Sequence, residues 1–337
     1  MSSSAALKLF DLVQSHRITA VIYVAAKLGI AELLRDGPRT TDDLAAATGA
    51  DRGALSRLLR GLSAVGICSR ERDGRYALTS MGTALDGEAG HSFKAWAIFE
   101  GEMLSDRWSG LLETVRTGKT AAELLGFSSS FEMMARSPEN IAIFNAAMAD
   151  LTRLVTPDVL RAYDFSRVSH LMDVGGGAGE FVAAAARQYP RMRATVFDLQ
   201  RCEEAATRHL QDAGVSDRAA FMAGDFFEAV PAIADLILLK SIIHDWNDER
   251  SRLILRNCRK ALPQHGTLLL LERILPDAPS DSDEDRANVM SDLNMLRGPG
   301  GRERTRGEYH RLLDDAGFRP KDIYPAGRFN VIEARPA

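Results

Sequence analysis

The chain predicts an α/β fold: a doubly wound, mostly parallel sheet preceded by a mainly α segment of winged-helix type. Three observations carry this. From Val168 onward, short apolar runs alternate with amphipathic ones at strand and helix lengths. The first apolar run, His170–Val174, breaks into the glycine turn Gly175-Gly-Gly177-Ala-Gly179 and then a helix, Phe181 to Gln188. Before about residue 100 the texture is different, with short capped helices and then a tight two-stranded turn. With 337 residues there is room for more than one core.

Taken in order, the run Ile18 to Leu34 is the most apolar. It carries Lys27 and Glu32 and is too short to cross a bilayer, so it reads as an interface or core helix. Thr40-Thr-Asp-Asp43 caps a helix over Leu44–Thr48, and Gly49-Ala-Asp51 turns the chain into a second over Arg52–Val65. Ile67–Arg70, the turn Asp73-Gly74 and Arg75–Leu78 form the wing. Such a module serves DNA binding, here through Arg52, Arg57 and Arg60, or dimerisation. Residues 1–100 hold 12 Lys/Arg against 11 Asp/Glu, with no basic stripe, which favours dimerisation. Between Phe93 and Tyr163 the chain is helical and rich in Phe, Trp and Met; this reads as core, or as the wall of a site for a flat ligand.

The alternating region supplies strands at His170–Val174, Arg193–Phe197, Ala219–Ala223, Leu236–Lys240, Thr267–Leu271 and Phe329–Ala334. Helices fall between them, including Asp248–Ala261, and a last one opens on the capping-box spacing Thr305-Arg-Gly-Glu308. The acidic stretch Asp277–Asp285 reads as a solvated connection. The expected division is a winged-helix dimerisation domain over 1–100, bridging helices over 101–165 and a catalytic α/β domain over 166–337.

Composition narrows the function. The chain is 45% hydrophobic and 26% charged, as a soluble globular protein is, and its net charge of -4 argues against a general nucleic-acid binder. Its three cysteines, Cys68, Cys202 and Cys258, are scattered, which excludes a disulfide framework or a paired zinc motif and fits a reducing cytoplasm. Met1–Phe10 lacks the regions of a secretory leader. No nucleic-acid or membrane partner is expected.

The chemistry gathers where the strands end, which is where open α/β sheets bind ligands. A dinucleotide-binding G-x-G-x-x-G would need glycine at position 180, which is Glu180. The third glycine falls at 179 instead, giving acidic-x-G-x-G-x-G, the form seen where a Rossmann-like sheet holds S-adenosylmethionine. Asp198 closes the second strand, 23 residues after Gly175, where a carboxylate accepts from both hydroxyls of a ribose. Asp225 stands where an acceptor meets an adenine amino group, with Phe226 against the ring, and Lys240 ends the fourth strand on the same crevice. In Lys240-Ser-Ile-Ile-His244-Asp-Trp-Asn-Asp248 a histidine follows a buried strand directly, placed to act as a base. Glu272 ends the next strand and Glu303 lies in Gly300-Gly-Arg-Glu-Arg-Thr305; either carboxylate would hold the imidazole in one tautomer.

These motifs, in this order, resemble S-adenosylmethionine-dependent O-methyltransferases of the caffeic acid and hydroxyindole type, whose bacterial relatives act on polyketides and phenazines. The motifs are Asp-Val-Gly-Gly-Gly-Ala-Gly (173–179), Phe-Asp-Leu (197–199), Gly-Asp-Phe-Phe (224–227), Lys-Ser-Ile-Ile-His-Asp-Trp-Asn-Asp (240–248), Glu-Arg-Ile-Leu-Pro (272–276) and Gly-Gly-Arg-Glu-Arg-Thr (300–305). The resemblance implies a class I methyltransferase fold and a homodimer formed through the N-terminal domain. It further implies cofactor binding by the loop of Gly175 and Gly177 with Asp198, Leu199, Asp225, Phe226 and Lys240. His244 would be the general base, flanked by Glu272 and Glu303, and Phe144, Met148 and Met295 would line the pocket of a small aromatic acceptor. A phenol has a pKa of about 10 against about 6.5 for histidine, so removing the proton as the methyl group arrives matters to the rate.

Two departures bear on the acceptor. Plant relatives carry a histidine where this chain has Leu151 and an asparagine where it has Gly298, which argues against caffeic acid itself. Transfer to nitrogen or carbon, a non-methylating use of the cofactor as a scaffold, and a regulator with a vestigial enzyme domain remain alternatives. No metal is expected: a metal role for His244 and Asp245 would need a second histidine, and the nearby loop position offers Met295.

Overall fold

The computed structural model describes residues 3–337; Met1 and Ser2, the start of the segment read for a leader, lie outside them. The chain divides into two units, one comprising residues up to 109 with 137–151, the other 110–136 with 152–337. The long helix Pro138–Ala162 contributes to both.

In the first unit the apolar run is two helices, His16–Lys27 and Ile30–Leu34, because Gly29 takes a left-handed φ of 67° and ends the first. Thr40 caps Thr41–Thr48 reciprocally with Asp43, so this helix starts three residues before the stretch expected from its apolar positions. Asp51 caps Arg52–Ala64, whose Leu55, Leu59 and Leu62 recur on one face and enter the core with Ile30, Leu34 and Leu44. The wing is β1 (Cys68–Arg70) paired antiparallel with β2 (Tyr76–Leu78). Arg52 is tied to Asp42 in an ion pair. The helix Lys94–Phe99 runs through a π-turn, Glu100–Leu104, into Ser105–Trp108.

The second unit holds a seven-stranded sheet. Its strands are β3 (His170–Val174), β4 (Arg193–Asp198), β5 (Ala219–Ala223), β6 (Leu236–Lys240), β7 (Thr267–Glu272), β10 (Phe318–Ala326) and β11 (Phe329–Pro336). They lie in the order β10-β11-β7-β6-β3-β4-β5. The five strands β3 to β7 are parallel; β11 joins β7 antiparallel and β10 joins β11 antiparallel. The chain proceeds outward from β3 to β5 and then returns to the other side of β3, so the switch point lies between β3 and β6. Every residue of β7 is buried, as parallel strands covered on both faces require.

Three elements differ from the sequence expectation. The acidic stretch 277–285 is not wholly a connection: Ser282 caps a helix, Asp283–Arg297, whose first turn carries Asp283, Glu284 and Asp285. These acids stabilise the positive end of the helix dipole, so a charge run that looks solvated is also a helix start. The strand β10 was not expected because Pro320 and Pro325 interrupt its pattern; as an edge strand with an irregular register between Pro320 and Ile323 it tolerates both. A short parallel pair, β8 (Ile274–Leu275) and β9 (Arg304–Thr305), is set by tertiary contact alone.

Candidate active site

Every residue singled out for cofactor binding or catalysis lies in the second unit, at the ends of β4, β6 and β7, in the loops that follow β3, β4, β5 and β6, or, for Glu303, just before β9. After β3 the backbone turns through positive φ at Gly175 (75°), Gly177 (55°) and Gly179 (79°). The three glycines meet different needs. A Cβ on Gly175 would lie 2.4 Å from Ile242, and one on Gly179 2.9 Å from Val196, so both are demanded by packing. A Cβ on Gly177 would meet nothing within 4 Å: the loop is open at that point to a ligand. Gly179 is the N-cap of the helix Glu180–Gln188.

Asp198 is bound to this loop. Its Oδ2 accepts from the Gly177 N–H at 2.8 Å and its Oδ1 from the Leu199 N–H at 2.6 Å. An ionised carboxylate has about four acceptor directions, so these bonds leave capacity for ligand hydroxyls. Asp225 Oδ1 accepts from the Phe227 N–H at 2.8 Å. Phe226 lies 3.7 Å from the position of a Gly175 Cβ, and Asn257 Nδ2 donates to the carbonyls of Phe226 and Phe227, fixing that turn. Lys240 is half-buried, its pKa lowered by desolvation against the opposing pull of Asp173, Glu272 and Asp245. A glycine cradle open at Gly177, a carboxylate at the next strand end and an aromatic face at the third fit an adenosine-bearing ligand.

His244 lies in the 3-10 turn Ile243–Asp245 that follows β6. Ser241, just before it, holds φ at 53°, a left-handed conformation uncommon outside glycine, so the chain leaves β6 sharply. Glu272 secures the turn: its Oε1 accepts from the Ile242 and Ile243 N–H groups at 3.1 and 2.9 Å. His244 Nδ1 donates to Glu303 Oε1 at 3.0 Å, and the Ser291 hydroxyl donates to the same oxygen at 2.7 Å. Glu272 Oε2 lies 3.6 Å from Nδ1, and Asp245 Oδ1 lies 3.6 Å from Nε2. Both glutamates expected from the sequence thus flank the ring on its Nδ1 side.

Burial on its own would lower the His244 pKa, but Glu272, Glu303 and Asp245 together raise it to about 10. Burial pushes Asp245 up to about 6 and shifts Glu272 upward too, whereas the His244 cation holds Glu303 below its ordinary value. One donor atom from each of His244, Glu272 and Glu303 falls within 4.8 Å of the others. His244 Nδ1 and Glu303 Oε1 are hydrogen-bonded to each other, Ser291 donates to the same Glu303 oxygen and Glu272 Oε1 accepts two backbone amides, which holds the imidazole in place, while Glu272 Oε2 and Glu303 Oε2 have no hydrogen-bond partner.

Sequence reasoning missed Arg304. Its guanidinium is buried and donates to the carbonyls of Ile243 and Trp246 at 3.0 and 2.8 Å, and to Asp248. It clamps the histidine turn from behind; only its place beside Glu303 in the motif hinted at this. Gly301 was also unread: a Cβ there would lie 2.0 Å from the His244 carbonyl oxygen. Of the expected acceptor-facing residues, Phe144 packs edge-on against Phe99 within the first unit. Met148 follows one turn later on the same helix, and Met295 is buried on Asp283–Arg297 in the second unit.

Two family descriptions match the chain, an O-methyltransferase domain over residues 108–319 and an O-methyltransferase dimerisation domain over 10–86. The chain belongs to the O-methyltransferase family. It is 38% identical over 329 residues to the phenazine O-methyltransferase PhzM of Lysobacter antibioticus, covering 97% of this chain and 95% of that one. The solved structure of LaPhzM superposes with a TM-score of 0.92 at 37% identity over 99% of both chains. Human N-acetylserotonin methyltransferase, solved with S-adenosylmethionine, gives a TM-score of 0.90 at 27% identity over the whole of both chains. This O-methyltransferase is therefore an S-adenosylmethionine-dependent enzyme with the class I methyltransferase fold that the glycine spacing implies.

Proposed function

We propose that this O-methyltransferase methylates a hydroxyl of a small aromatic secondary metabolite, a phenazine, polyketide or similar phenol, with His244 as general base. The observation that carries the reading is the imidazole held between Glu303 and Glu272 one turn after the cofactor-side Lys240. Gly175, Gly177, Asp198, Leu199, Asp225, Phe226 and Lys240 are the cofactor-binding set. Phe144, Met148 and Met295 are taken as acceptor-facing on the family resemblance. The protein works as a homodimer through its dimerisation domain.

When bound, the cofactor supplies a methyl group on a sulfonium sulfur, and the acceptor oxygen forms the new C–O bond as the C–S bond breaks with its electron pair to sulfur. The chain's own contribution is positioning and proton management. Nδ1–H is committed to Glu303, so Nε2 is the nitrogen that takes the hydroxyl proton. Glu303 and Glu272 stabilise the resulting cation, and Arg304 and Glu272 keep the turn from drifting. Alignment of this kind accounts for a large share of the rate.

The test is incubation with methyl-labelled S-adenosylmethionine and a panel of hydroxylated phenazines, anthraquinones, indoles and cinnamates, read by mass spectrometry. Label on oxygen is the expected result, and His244→Ala lowers that product by about 10²–10⁴-fold. Label on nitrogen or carbon, or an acceptor transformed without label, would displace the reading; near-full activity of His244→Ala would remove the base.

A further inference from the structure

We propose that Tyr309 is a positioning residue of the methyl-transfer site: its hydroxyl, with Glu272 Oε2 and Glu303 Oε2, encloses one buried water that joins the two glutamates to each other. The inference rests on the reading of His244 as general base and adds the residue that keeps its two flanking carboxylates in register.

The segments that carry the glutamates are fastened together just beyond them. β8 follows Glu272 and β9 follows Glu303, and the two pair in the register Ile274–Arg304 and Leu275–Thr305. Thr305 then caps the helix Arg306–Asp315, whose fourth residue, Tyr309, is fully buried in the core. Each glutamate has one oxygen engaged and one bare. Glu272 Oε1 accepts two backbone N–H groups, and Glu303 Oε1 accepts from His244 Nδ1 and from Ser291. Glu272 Oε2, Glu303 Oε2 and the Tyr309 hydroxyl are all buried without a hydrogen-bond partner. Burial first, then the charges of Glu272 and Glu303, push the Tyr309 phenol well above its ordinary pKa. Tyr309 therefore lies in the field of both carboxylates and stays an O–H donor.

Buried polar atoms are nearly always paired, and one water pairs these three at once. An internal water typically makes about three hydrogen bonds. This one accepts from the Tyr309 O–H and donates one hydrogen to each Oε2. The neighbouring charged groups have other partners. Arg304 donates to backbone carbonyls and Asp248, and Asp292 accepts the Glu303 N–H. Arg273 donates to Asn288, and Glu308 accepts from Arg302 and the Thr305 N–H. Lys240 and Asp245 act on Glu272 through their charge. The bridge fixes the carboxylates against each other, so Glu303 keeps its oxygen on Nδ1 and the ring keeps its lone pair on Nε2 for the acceptor hydroxyl. Without the Tyr309 donor the water is a weaker donor to both anions, and the cluster of ring and carboxylates holds its proton more tightly.

The direct experiment is a crystal structure of the wild-type protein at a resolution that orders internal water. One water within hydrogen-bond distance of all three oxygens is expected. A metal ion there, a direct bond from Tyr309 to either glutamate, or an unfilled space overturns the proposal. The companion measurement is the kinetics of Tyr309→Phe, which removes only the hydroxyl, with the panel acceptor that is labelled fastest. Its kcat should fall about tenfold, the worth of one hydrogen bond to a charged group. KM for the cofactor and the acceptor should stay within about twofold. The acid limb of kcat should move to higher pH, which a packing defect does not cause. An unchanged kcat, or one lowered equally at every pH, overturns the proposal. The water in place with no labelled product from any acceptor removes the methyl-transfer reading and leaves the bridge; labelled product with no water between the glutamates does the reverse.

Discussion

Asp173, the acidic residue that opens the glycine motif, shows how burial changes what one side chain contributes. It is 2% exposed, its Oδ1 has no hydrogen-bond partner, and desolvation pushes its pKa up to about 7 against the pull of Lys240. Between about pH 4 and 7 the folded protein therefore holds a proton that the unfolded chain has released, and stability falls as pH rises through that window. Asp173→Asn keeps the shape and removes the titration. Its Tm relative to wild type should accordingly climb from pH 4.5 to pH 7, measured by calorimetry in matched buffers. A difference that stays flat with pH would show that Asp173 titrates as an ordinary exposed carboxylate. His244 has the opposite sign: its raised pKa adds stability that is complete below about 6.5 and lost as pH rises through about 10.

At the scale of elements, the histidine turn is held by loops distant in sequence. Arg302 N–H donates to the His244 carbonyl at 2.8 Å, and Arg304 and Glu272 take the neighbouring backbone groups. Gly301 fits under this turn only because it has no Cβ; an added one would lie 2.0 Å from the His244 oxygen and 2.4 Å from the Asp245 carbonyl carbon. Backbone on both sides leaves no flexible end to give way. Gly301→Ala is expected to displace the ring and lower kcat by about 10–100-fold, while the affinity for S-adenosylmethionine stays within about twofold, because the glycine cradle at Gly175–Gly179 is untouched. Steady-state kinetics beside calorimetric titration separates the two, and an unchanged kcat would mean that the loop yields instead.

For the whole molecule, the decisive surface is in the first unit. The helix Ser3–Gln14 exposes Leu7, Leu9, Phe10, Leu12 and Val13, each at least half exposed, on a chain whose dimerisation domain starts at residue 10. A row of large apolar residues at this density marks an association surface. The paired substitution Leu9→Asp with Phe10→Asp should convert the dimer to a monomer in sedimentation velocity, leaving far-UV circular dichroism intact. Persistence of the dimer would place the interface elsewhere in the unit. Among the described residues no helix is long and apolar enough to cross a membrane.

The division between sequence and tertiary structure follows from the range of the interactions. Glycines in left-handed turns, capping residues such as Thr40 and Thr305, and apolar runs of strand length act over a few residues, so the glycine loop, the parallel strands and the helix starts were legible in order. The positions of most residues expected at the site were legible for the same reason, since they stand at or just after the ends of strands the pattern had placed; Glu303 lies instead beside β9, and Phe144, Met148 and Met295 lie on helices. Strand order, the switch point between β3 and β6 and the proline-bearing edge strand β10 depend on pairing across the whole domain and had no local signature. The charge state of the site was equally hidden. His244, Glu272 and Glu303 stand 28 and 31 residues apart along the chain, and only folding brings three carboxylates, Asp245 included, around one half-buried ring. Sequence pointed to the imidazole as the candidate base; the carboxylates that folding gathers around it, working against burial, decide how strongly it holds a proton.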